Sequence, residues 1–338
     1  METTRLEIEQ QVDLGPYNSF GIAATAAHFA RITGAADLRA ALDYSKQHHL
    51  PVLVLGGGTN LLFSKGFSGL ILLMDWPGID WLNDTGLVKV ACGENWHEFV
   101  IQCLKKGFHG LENLALIPGT VGAAPIQNIG AYGVELEQFL VQLNALDTRT
   151  GQWHCFENSA CEFGYRDSLF KQPRGRHFII TDITLQLSTE WRPNVGYRAL
   201  RDALDTDNPT PQQVFDTICQ IRRSKLPDPT IEGNAGSFFK NPLVSLQKFQ
   251  ALQAEHPDVP SFDTDDNELV KIPAAWLLEQ AGWKGRQRGS AAVSEAHALV
   301  LVNPGQASGE DILLLAQEMS SSILQRFGIA LELEVQVI

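Results

Sequence analysis

A helix, a buried strand and three consecutive glycines follow one another between residues 35 and 58. The strand, residues 51–55, is apolar after its first proline and runs directly into Gly56-Gly57-Gly58. This order of elements is typical of an α/β unit. The helix is predicted over residues 35–49 from four residues that share one face at helical spacing, namely Leu38, Ala41, Leu42 and Ser45.

The three glycines allow the backbone to approach a ligand closely, because they carry no Cβ and leave amide N–H groups accessible. A phosphate is the ligand we expect at such a turn. The segment has neither the G-x-G-x-x-G pattern of Rossmann dinucleotide sites nor the G-x-x-x-x-G-K-[ST] pattern of P-loops. Taken alone, it is equally compatible with a tight turn that holds no ligand.

A second segment, residues 117–133, contains seven glycines and alanines and no charged residue. A surface loop of this length normally carries charges. We therefore interpret the segment as backbone packed closely around a large flat or phosphorylated ligand. A glycine-rich structural turn between two elements is the alternative.

Composition excludes several classes of partner. The 338 residues are 44% hydrophobic, which is enough for about two or three packed domains, and the formal net charge is -13. A nucleic acid is an unfavourable partner, because binding to phosphate backbones needs a basic face, although a local pocket can still hold a small anion. No apolar run approaches the roughly 18 residues of a membrane span, so we expect no membrane contact.

The first residues lack the apolar core of a signal peptide, and the five cysteines form no C-x-x-C pair. We therefore expect reduced thiols and a cytoplasmic location. His154, Cys155 and Cys161 match no zinc-binding spacing, so no metal site is expected.

Thr210-Pro211-Gln212-Gln213 is predicted to begin a helix, since Thr210 suits an N-cap, Pro211 the first turn and Gln213 a capping box. This helix must end near Lys225, because Leu226-Pro227-Asp228-Pro229 cannot continue it. We place a domain boundary at this point.

Two more helices are predicted near the C-terminus. One covers residues 273–281, begins at a proline and ends at Gly282, and the other begins after the N-cap Ser308. Residues 330–338 alternate between apolar and polar side chains, which predicts a strand with Glu334 on its polar face.

Three single residues, each taken alone, do not indicate a functional site. Arg166 could clamp a carboxylate or phosphate, but pairing with Asp167 in solvent is the simpler interpretation. Ser237 follows Gly236 outside any G-x-S-x-G elbow, so it is not interpreted as a hydrolase nucleophile. Its hydroxyl could donate a proton, anchor a ligand or simply belong to a turn. Glu334 alone resembles an exposed edge residue.

In this order, these segments resemble the UDP-N-acetylenolpyruvoylglucosamine reductases, also called UDP-N-acetylmuramate dehydrogenases. The resemblance covers nearly the whole chain, from Asn18-Ser19-Phe20-Gly21 to Glu334-Val335. Each motif alone is weak evidence for the family. The resemblance rests on finding all of the motifs in the same order along the chain. The most specific motifs lie at residues 110–119, 125–133, 165–168 and 236–242.

The resemblance implies an α+β fold with a vanillyl-alcohol-oxidase-type (PCMH) FAD-binding region of two α/β subdomains and a separate α+β substrate-binding domain. The FAD-binding region would comprise residues 1–227, split near residue 70, and the substrate-binding domain residues 228–325. Residues 326–338 would form a strand that returns to the FAD-binding region.

The implied cofactors are FAD and, as hydride donor, NADPH. Neither glycine-rich segment contains His or Cys, so we expect the FAD to be bound non-covalently. The residues expected at the FAD are Gly56, Gly57, Gly58, Thr59, Asn60, Leu61, Pro118, Gly119, Thr120, Val121, Gly122, Ala123, Gln127, Asn128, Gly130, Ala131 and Tyr132.

The implied reaction is the reduction of UDP-N-acetyl-3-O-(1-carboxyvinyl)glucosamine to UDP-N-acetylmuramate in peptidoglycan precursor synthesis. A hydride would pass from flavin N5 to C3 of the enolpyruvyl group, and Ser237 would donate a proton to C2. Arg166 and a protonated Glu334 would stabilise the charge on the carboxylate.

Residues 191–200 resemble an inserted loop of one branch of the family. The residues expected at the substrate are Tyr197, Arg222, Lys225 and Asn241.

Two alternatives share these features. A flavin oxidase of the same fold with covalent FAD would usually need a His or Cys near the flavin, and the loop at Gly56 has neither. A non-catalytic nucleotide-sugar-binding protein with a degenerate flavin site would be colourless when purified.

The chain also departs from many relatives in having Thr59 for Ser, and from some in having Phe262 for a substrate-contacting Tyr.

Overall fold

The computed structural model describes residues 6–262, 264 and 266–338, and the N-terminal residues 1–5 considered above lie outside this range. The chain forms two compact units and passes between them several times. The domain limits expected near residue 70 and at residue 228 therefore remain predictions. The first unit extends to Val12 and includes Ala26–Gly58 and Phe67–Arg222, and the second contains Asp13–Thr25, Thr59–Gly66 and Arg223–Ile338.

The strands are short and distributed along the whole chain. In chain order they are β1 (Glu9–Asp13), β2 (Thr25–Ile32), β3 (Val52–Leu55), β4 (Leu61–Leu62), β5 (Phe67–Met74), β6 (Ile79–Trp81), β7 (Leu87–Ala91), β8 (Gly130–Ala131), β9 (Val134–Glu135), β10 (Leu140–Asp147), β11 (Trp153–Glu157), β12 (Phe178–Gln186), β13 (Gly233–Ser237), β14 (Leu243–Ser245), β15 (Leu269–Lys271), β16 (Gln287–Arg288), β17 (Ala291–Val293), β18 (Val300–Asn303) and β19 (Gln336–Val337).

The α-helices lie between these strands. They are α1 (Ala35–His48), α2 (Trp96–Lys105), α3 (Arg198–Arg201), α4 (Pro211–Lys225), α5 (Leu246–Glu255), α6 (Ala274–Gln280) and α7 (Gly309–Phe327). Within the described residues, no helix combines the length and apolar character needed to cross a membrane.

The first unit begins with a four-stranded sheet in the order β1-β2-β5-β3, in which β5 pairs in parallel with both β2 and β3. The predicted helix and strand are confirmed as α1 and β3, and the buried residues of α1 are the four of the predicted face. Leu38 and Ala41 pack with Ala30 of β2 and Leu70 of β5 in one core. The three glycines follow β3 at its carboxyl end.

A five-stranded sheet in the order β11-β10-β12-β7-β6 forms the rest of the first unit. Its core includes Val214 and Ile218 from the predicted face of α4. The predicted helix start is confirmed, because Thr210 Oγ1 accepts a hydrogen bond from Gln213 N at 3.2 Å and Gln213 Oε1 accepts one from Thr210 N at 2.8 Å. The helix ends at Lys225, as the prolines that follow predict.

The second unit contains a four-stranded sheet in the order β13-β18-β17-β16. The predicted helices of this region are confirmed as α6 and α7, and both bury apolar faces in its core. The start of α7 is a full capping box, in which Ser308 Oγ accepts from Asp311 N and the Asp311 carboxylate accepts from Ser308 N. The helix ends at Gly328, whose φ of 62° suits glycine.

The C-terminal strand predicted over residues 330–338 is shorter than expected. Only Gln336–Val337 is a regular strand, and Leu333 forms an isolated bridge with Phe239. The regular strand is interrupted because the segment changes partner, pairing antiparallel near Phe239 and then in parallel with β4. The predicted alternation is retained, since Leu331 and Val335 are buried whereas Glu332 and Gln336 are exposed.

The capping box yields a test of how strongly α7 stabilises the protein. Ser308→Ala removes the acceptor for Asp311 N, and an N-cap replacement of this kind lowers the free energy of unfolding by about 1 kcal/mol. Urea unfolding at a fixed FAD concentration measures the change, because a bound ligand adds to the apparent stability.

Ser321→Ala is the matched control, because Ser321 is exposed in the interior of the same helix. Alanine favours a helix interior, so this variant should be as stable as the parent or slightly more so. Equal losses in both variants would contradict the role assigned to the cap.

Candidate active site

The two glycine-rich segments meet in the first unit. A Cβ added at Gly56 would lie 2.5 Å from Oγ1 of Thr120 and 3.5 Å from Cβ of Ala123. In the second segment, a Cβ added at Gly122 would collide with Cys92. The side chains of Thr120 and Ala123 therefore pack directly against the backbone of Gly56, and Cys92 packs against that of Gly122, so neither position has room for a side chain.

The second segment is more ordered than a loop. Residues 121–127 form a 3-10 helix, and Asn128 follows it with a left-handed φ of 45°. Asn128 is fully buried, where its Oδ1 accepts a hydrogen bond from Glu137 N at 3.0 Å and its Nδ2 donates to Glu135 Oε2 at 2.9 Å. This side chain holds the turn, and its expected contact with FAD remains a prediction.

The place where the segments meet fits a polar ligand. Thr120 Oγ1 is buried and has no hydrogen-bond partner among the described residues. Buried hydroxyl groups are nearly always hydrogen-bonded, so an acceptor or donor from a bound group is the expected partner. Gly58 has a φ of 62°, which turns the backbone sharply after the strand. Both features fit a diphosphate-containing cofactor.

Arg166 lies in a tight turn of the same unit. Gly164 and Asp167 exchange backbone hydrogen bonds around it, and Arg166 has a left-handed φ of 53°. Its Nη2 donates to the carbonyl oxygen of Gly130 at 2.8 Å. The Asp167 carboxylate accepts from Ser168 N and from the Gln172 side chain. The guanidinium is thus held against the second glycine-rich segment, as a clamp requires.

Tyr132 connects the second segment to two of the expected substrate residues. Its ring meets that of Tyr197 edge-on, with centroids 5.4 Å apart and planes at 85°. Its hydroxyl is hydrogen-bonded to Arg222, whose Nε also donates to the carbonyl oxygen of Leu116 at 3.2 Å. Burial lowers the pKa of the Arg222 guanidinium and raises those of the Tyr132 and Tyr197 hydroxyls. Both phenols therefore stay neutral donors at pH 7.

Asn113 is a buried residue of this site that the motifs did not single out. Its Nδ2 donates to the carbonyl oxygen of Tyr132 at 3.0 Å and to that of Asn194 at 2.9 Å. It thereby holds the loop of residues 191–200, which carries Tyr197, against the second segment. The only sequence signal was its place inside the motif at residues 110–119.

Ser237 and Glu334 come together in the second unit. Glu334 N donates to the carbonyl oxygen of Phe238 at 2.9 Å, directly after Ser237. The carbonyl oxygen of Glu334 accepts from Asn60 Nδ2 at 3.3 Å. Three segments that are far apart in the sequence therefore meet at one place. Both Ser237 and Glu334 are half-buried.

Lys225 and Asn241 occupy different positions in the second unit. Lys225 is the exposed last residue of α4, and Asn241 Oδ1 accepts from Ala274 N at 2.9 Å at the start of α6. His297 was not expected from the sequence. Burial lowers its pKa to about 4, and the charges of Lys225 and Lys284 add to this effect. The imidazole of His297 is therefore neutral at pH 7.

Metal ligands are not assembled anywhere in the described part of the chain, where no group of three His, Cys, Asp or Glu side chains could hold an ion. The predicted catalytic residues are divided between the units, with Arg166 in the first and Ser237 and Glu334 in the second.

Two family profiles match the chain in separate regions. Residues 26–156 match an FAD-binding domain, and residues 228–338 match the C-terminal domain of UDP-N-acetylenolpyruvoylglucosamine reductase. Together with the close approach of the glycine-rich segments, these matches define the chain as an FAD-dependent oxidoreductase.

Full-length relatives narrow this class to one family. The chain is 48% identical over 329 residues to UDP-N-acetylenolpyruvoylglucosamine reductase from Burkholderia vietnamiensis, covering 95% of this chain and 94% of the relative. It is 46% identical over 335 residues to the enzyme of this name from Pseudomonas syringae pv. syringae, covering 97% and 98%. The chain therefore belongs to the UDP-N-acetylenolpyruvoylglucosamine reductase family.

A solved structure supports the fold. The crystal structure of the reductase from Thermus caldophilus matches with a TM-score of 0.67 at 23% identity and covers 98% of each chain. The resemblance, the fold class and the FAD cofactor expected from the sequence are thus confirmed. The individual site residues remain predictions.

The contact between Gly56 and Thr120 predicts the effect of a single methyl group on FAD binding. The new Cβ of Gly56→Ala would collide with Thr120 Oγ1 and displace it, and overpacking of this kind costs about 1–3 kcal/mol. We expect a lower ratio of FAD to protein after purification and a weaker FAD affinity after reconstitution.

Gly34→Ala is the control in the same unit, because a Cβ at Gly34 meets no atom within 4 Å. In a Thr120→Ala background, Gly56→Ala should lower the FAD affinity by a smaller factor, because the Oγ1 atom of Thr120 is absent. An equal loss of FAD affinity in both backgrounds would show that this contact is not the cause.

Proposed function

We propose that the chain reduces UDP-N-acetyl-3-O-(1-carboxyvinyl)glucosamine to UDP-N-acetylmuramate in peptidoglycan precursor synthesis, with NADPH as the source of the hydride. The names of the relatives support the substrate class. The observation that carries the proposal is the meeting of Asn60, Ser237 and Glu334 in the second unit. This brings a hydroxyl and a carboxyl group to the segment that continues the first glycine turn.

The chemistry that FAD supplies when bound is hydride transfer, here to C3 of the enolpyruvyl group. The FAD is held without a covalent bond, since neither glycine-rich segment contains His or Cys. Thr120 and the glycines around it provide the donors and the close backbone approach that a diphosphate needs.

Arg166 stabilises the negative charge that develops on the substrate carboxylate as C3 gains the hydride. A fixed guanidinium does this without reorganisation at the moment of reaction. The hydrogen bond from Nη2 to Gly130 O supports this role, because it limits the orientations of the group. Glu334, held protonated, donates a hydrogen bond to the same carboxylate.

Ser237 completes the reaction by donating its hydroxyl proton to C2. The C3 carbon then carries the added hydride as a methyl group, and C2 carries the proton. The resulting alkoxide on Ser237 takes up a proton from solvent before the next turnover. Four residues bind the nucleotide sugar, namely Tyr197, Arg222, Lys225 and Asn241, and the positive charges of Arg222 and Lys225 suit its diphosphate.

The proton-donor role predicts that Ser237→Ala separates the two half-reactions. Reduction of the flavin by NADPH needs no proton at C2, so its stopped-flow rate should be close to that of the parent. Reoxidation by the enolpyruvyl substrate should slow by about 10²–10⁴-fold, the usual contribution of general acid catalysis. A cysteine at this position should restore part of the rate.

Ser322→Ala serves as the control, since Ser322 is a hydrogen-bonded serine elsewhere in the second unit, 3.1 Å from Trp283 Nε1. Both half-reactions should be normal in this variant. If Ser237→Ala slowed the two half-reactions equally, the serine would be a structural turn residue.

The substrate role of Tyr197 predicts a change in KM. Tyr197→Phe retains the ring that contacts Tyr132 but removes the hydroxyl. A hydrogen bond to a charged group contributes about 1.5–3 kcal/mol, so KM for the nucleotide sugar should rise by roughly tenfold or more. FAD content should not change. Tyr44→Phe is the control, because the Tyr44 hydroxyl in α1 lies 3.1 Å from Nδ1 of His28 in β2, and this variant should leave KM unaltered. Loss of FAD from Tyr197→Phe would assign the residue to the cofactor instead.

A further inference from the structure

The position of Ser237 depends on an irregularity in β13. Asn234 pairs with Val302 and Ser237 pairs with Val300, with a shift of register between the two pairs. Three steps along β13 therefore match two along β18, so β13 contains one extra residue. Gly236 adopts a left-handed φ of 69° inside this bulge. Bulges of this kind redirect the side chains that follow, and here the next residue is Ser237.

Asn234 holds the bulge in place. Its Oδ1 accepts a hydrogen bond from Gly236 N at 3.0 Å. The residue is 4% exposed, so the bond is shielded from water. Loss of this hydrogen bond would remove a restraint on the left-handed backbone of Gly236, which directly precedes Ser237.

The amide group of the same side chain fixes a second segment. Nδ2 donates to the carbonyl oxygen of Pro227 at 3.0 Å and to that of Glu232 at 2.8 Å. Pro227 lies two residues after Lys225, which is one of the residues expected at the substrate. Asn234 also donates its backbone N–H to the carbonyl oxygen of Ser19 at 3.0 Å. One buried residue thus connects the chain after Lys225 with the turn before Ser237.

We propose that Asn234 is a positioning residue for the reaction, which aims the Ser237 hydroxyl at C2 of the substrate and sets its place relative to the segment after Lys225. The inference rests on the proposed role of Ser237 as the proton donor. Asparagine suits the task because it offers an acceptor and two donors at once. Aspartate would place a carboxylate against two carbonyl oxygens, and serine would retain an acceptor but only one donor.

The size of the effect follows from geometry. Proton transfer needs the donor within hydrogen-bond reach of C2, and a misplacement of about 1 Å can cost roughly 10²-fold in rate. Asn234→Ala should slow reoxidation of the flavin by saturating enolpyruvyl substrate by about 10- to 100-fold. Reduction of the flavin by NADPH should stay close to that of the parent, because it does not involve Ser237.

A double-mutant cycle separates positioning from general destabilisation. If Asn234 acts through Ser237, Asn234→Ala should slow reoxidation much less in a Ser237→Ala background than in the parent. Asn234→Ser should recover most of the parent rate, since its hydroxyl can still accept from Gly236 N. If the alanine variant is obtained in poor yield, Asn234→Asp is the second test, because its carboxylate would face the carbonyl oxygens of Pro227 and Glu232 and should slow reoxidation of the flavin but not its reduction.

Asn158→Ala is the matched control. Asn158 Nδ2 likewise donates to two backbone carbonyl oxygens, those of Glu137 at 2.7 Å and Leu140 at 2.8 Å, in the first unit. This variant should lose a comparable set of hydrogen bonds while both half-reactions keep their parent rates.

Two results would overturn the inference: an unchanged reoxidation rate in Asn234→Ala, or an equal slowing with and without Ser237. Failure of the proposed function gives a different result, in which Ser237→Ala alone leaves reoxidation unchanged. In that case Asn234 has no proton donor to position and the inference falls with it.

Discussion

The second unit depends on two backbone hydrogen bonds made by its last residues. Glu334 N donates to Phe238 O at 2.9 Å, and Gln336 N donates to Asn60 O at 3.1 Å. The first bond holds the C-terminal segment beside the turn of Ser237, and the second holds it beside the continuation of the first glycine turn. The chemistry proposed for Ser237 and Glu334 requires this main-chain pairing, because the pairing brings the two residues together.

The first unit relies on a different constraint, which is the close packing of neighbouring residues against glycine backbone. Gly56 and Gly122 leave room for neighbours that a Cβ would meet, so the glycine-rich segments can form one cradle. Asn113 then links this cradle to the loop that carries Tyr197. In both units a buried asparagine amide binds backbone groups of other segments, which are distant in sequence for Asn113 and two to seven residues away for Asn234. Such bonds specify position, since each donor left unpaired in the interior would cost about 1–3 kcal/mol.

Local features of the fold were predictable from the sequence, and non-local ones were not. The face of α1, the capping of α4 and the start of α7 follow from residues only three or four positions apart. The C-terminal strand is shorter than its sequence pattern predicts. Its change of partner near Val335 depends on Phe239 and Leu61, which lie far away in the sequence and leave no local signal. The register shift at Asn234 is equally invisible without β18.

The site was predictable only in part. Composition and spacing indicated two ligand-contacting segments but not their ligand, and FAD entered through the family resemblance. Arg166, Ser237 and Glu334 came from matching motifs, because no local pattern distinguishes them from a surface arginine, a turn serine or an edge carboxylate. Asn113, Asn234 and His297 were missed, since their importance lies in partners that the fold supplies.

Anaerobic visible spectroscopy of the purified protein tests directly whether the chain is a working flavin reductase for an enolpyruvyl nucleotide sugar. We expect a yellow protein that NADPH bleaches and that UDP-N-acetyl-3-O-(1-carboxyvinyl)glucosamine restores to yellow, while UDP-N-acetylglucosamine, which lacks the enolpyruvyl group, does not. A colourless protein, or a bleached one that the enolpyruvyl substrate fails to reoxidise, would show that the chain does not perform this reaction.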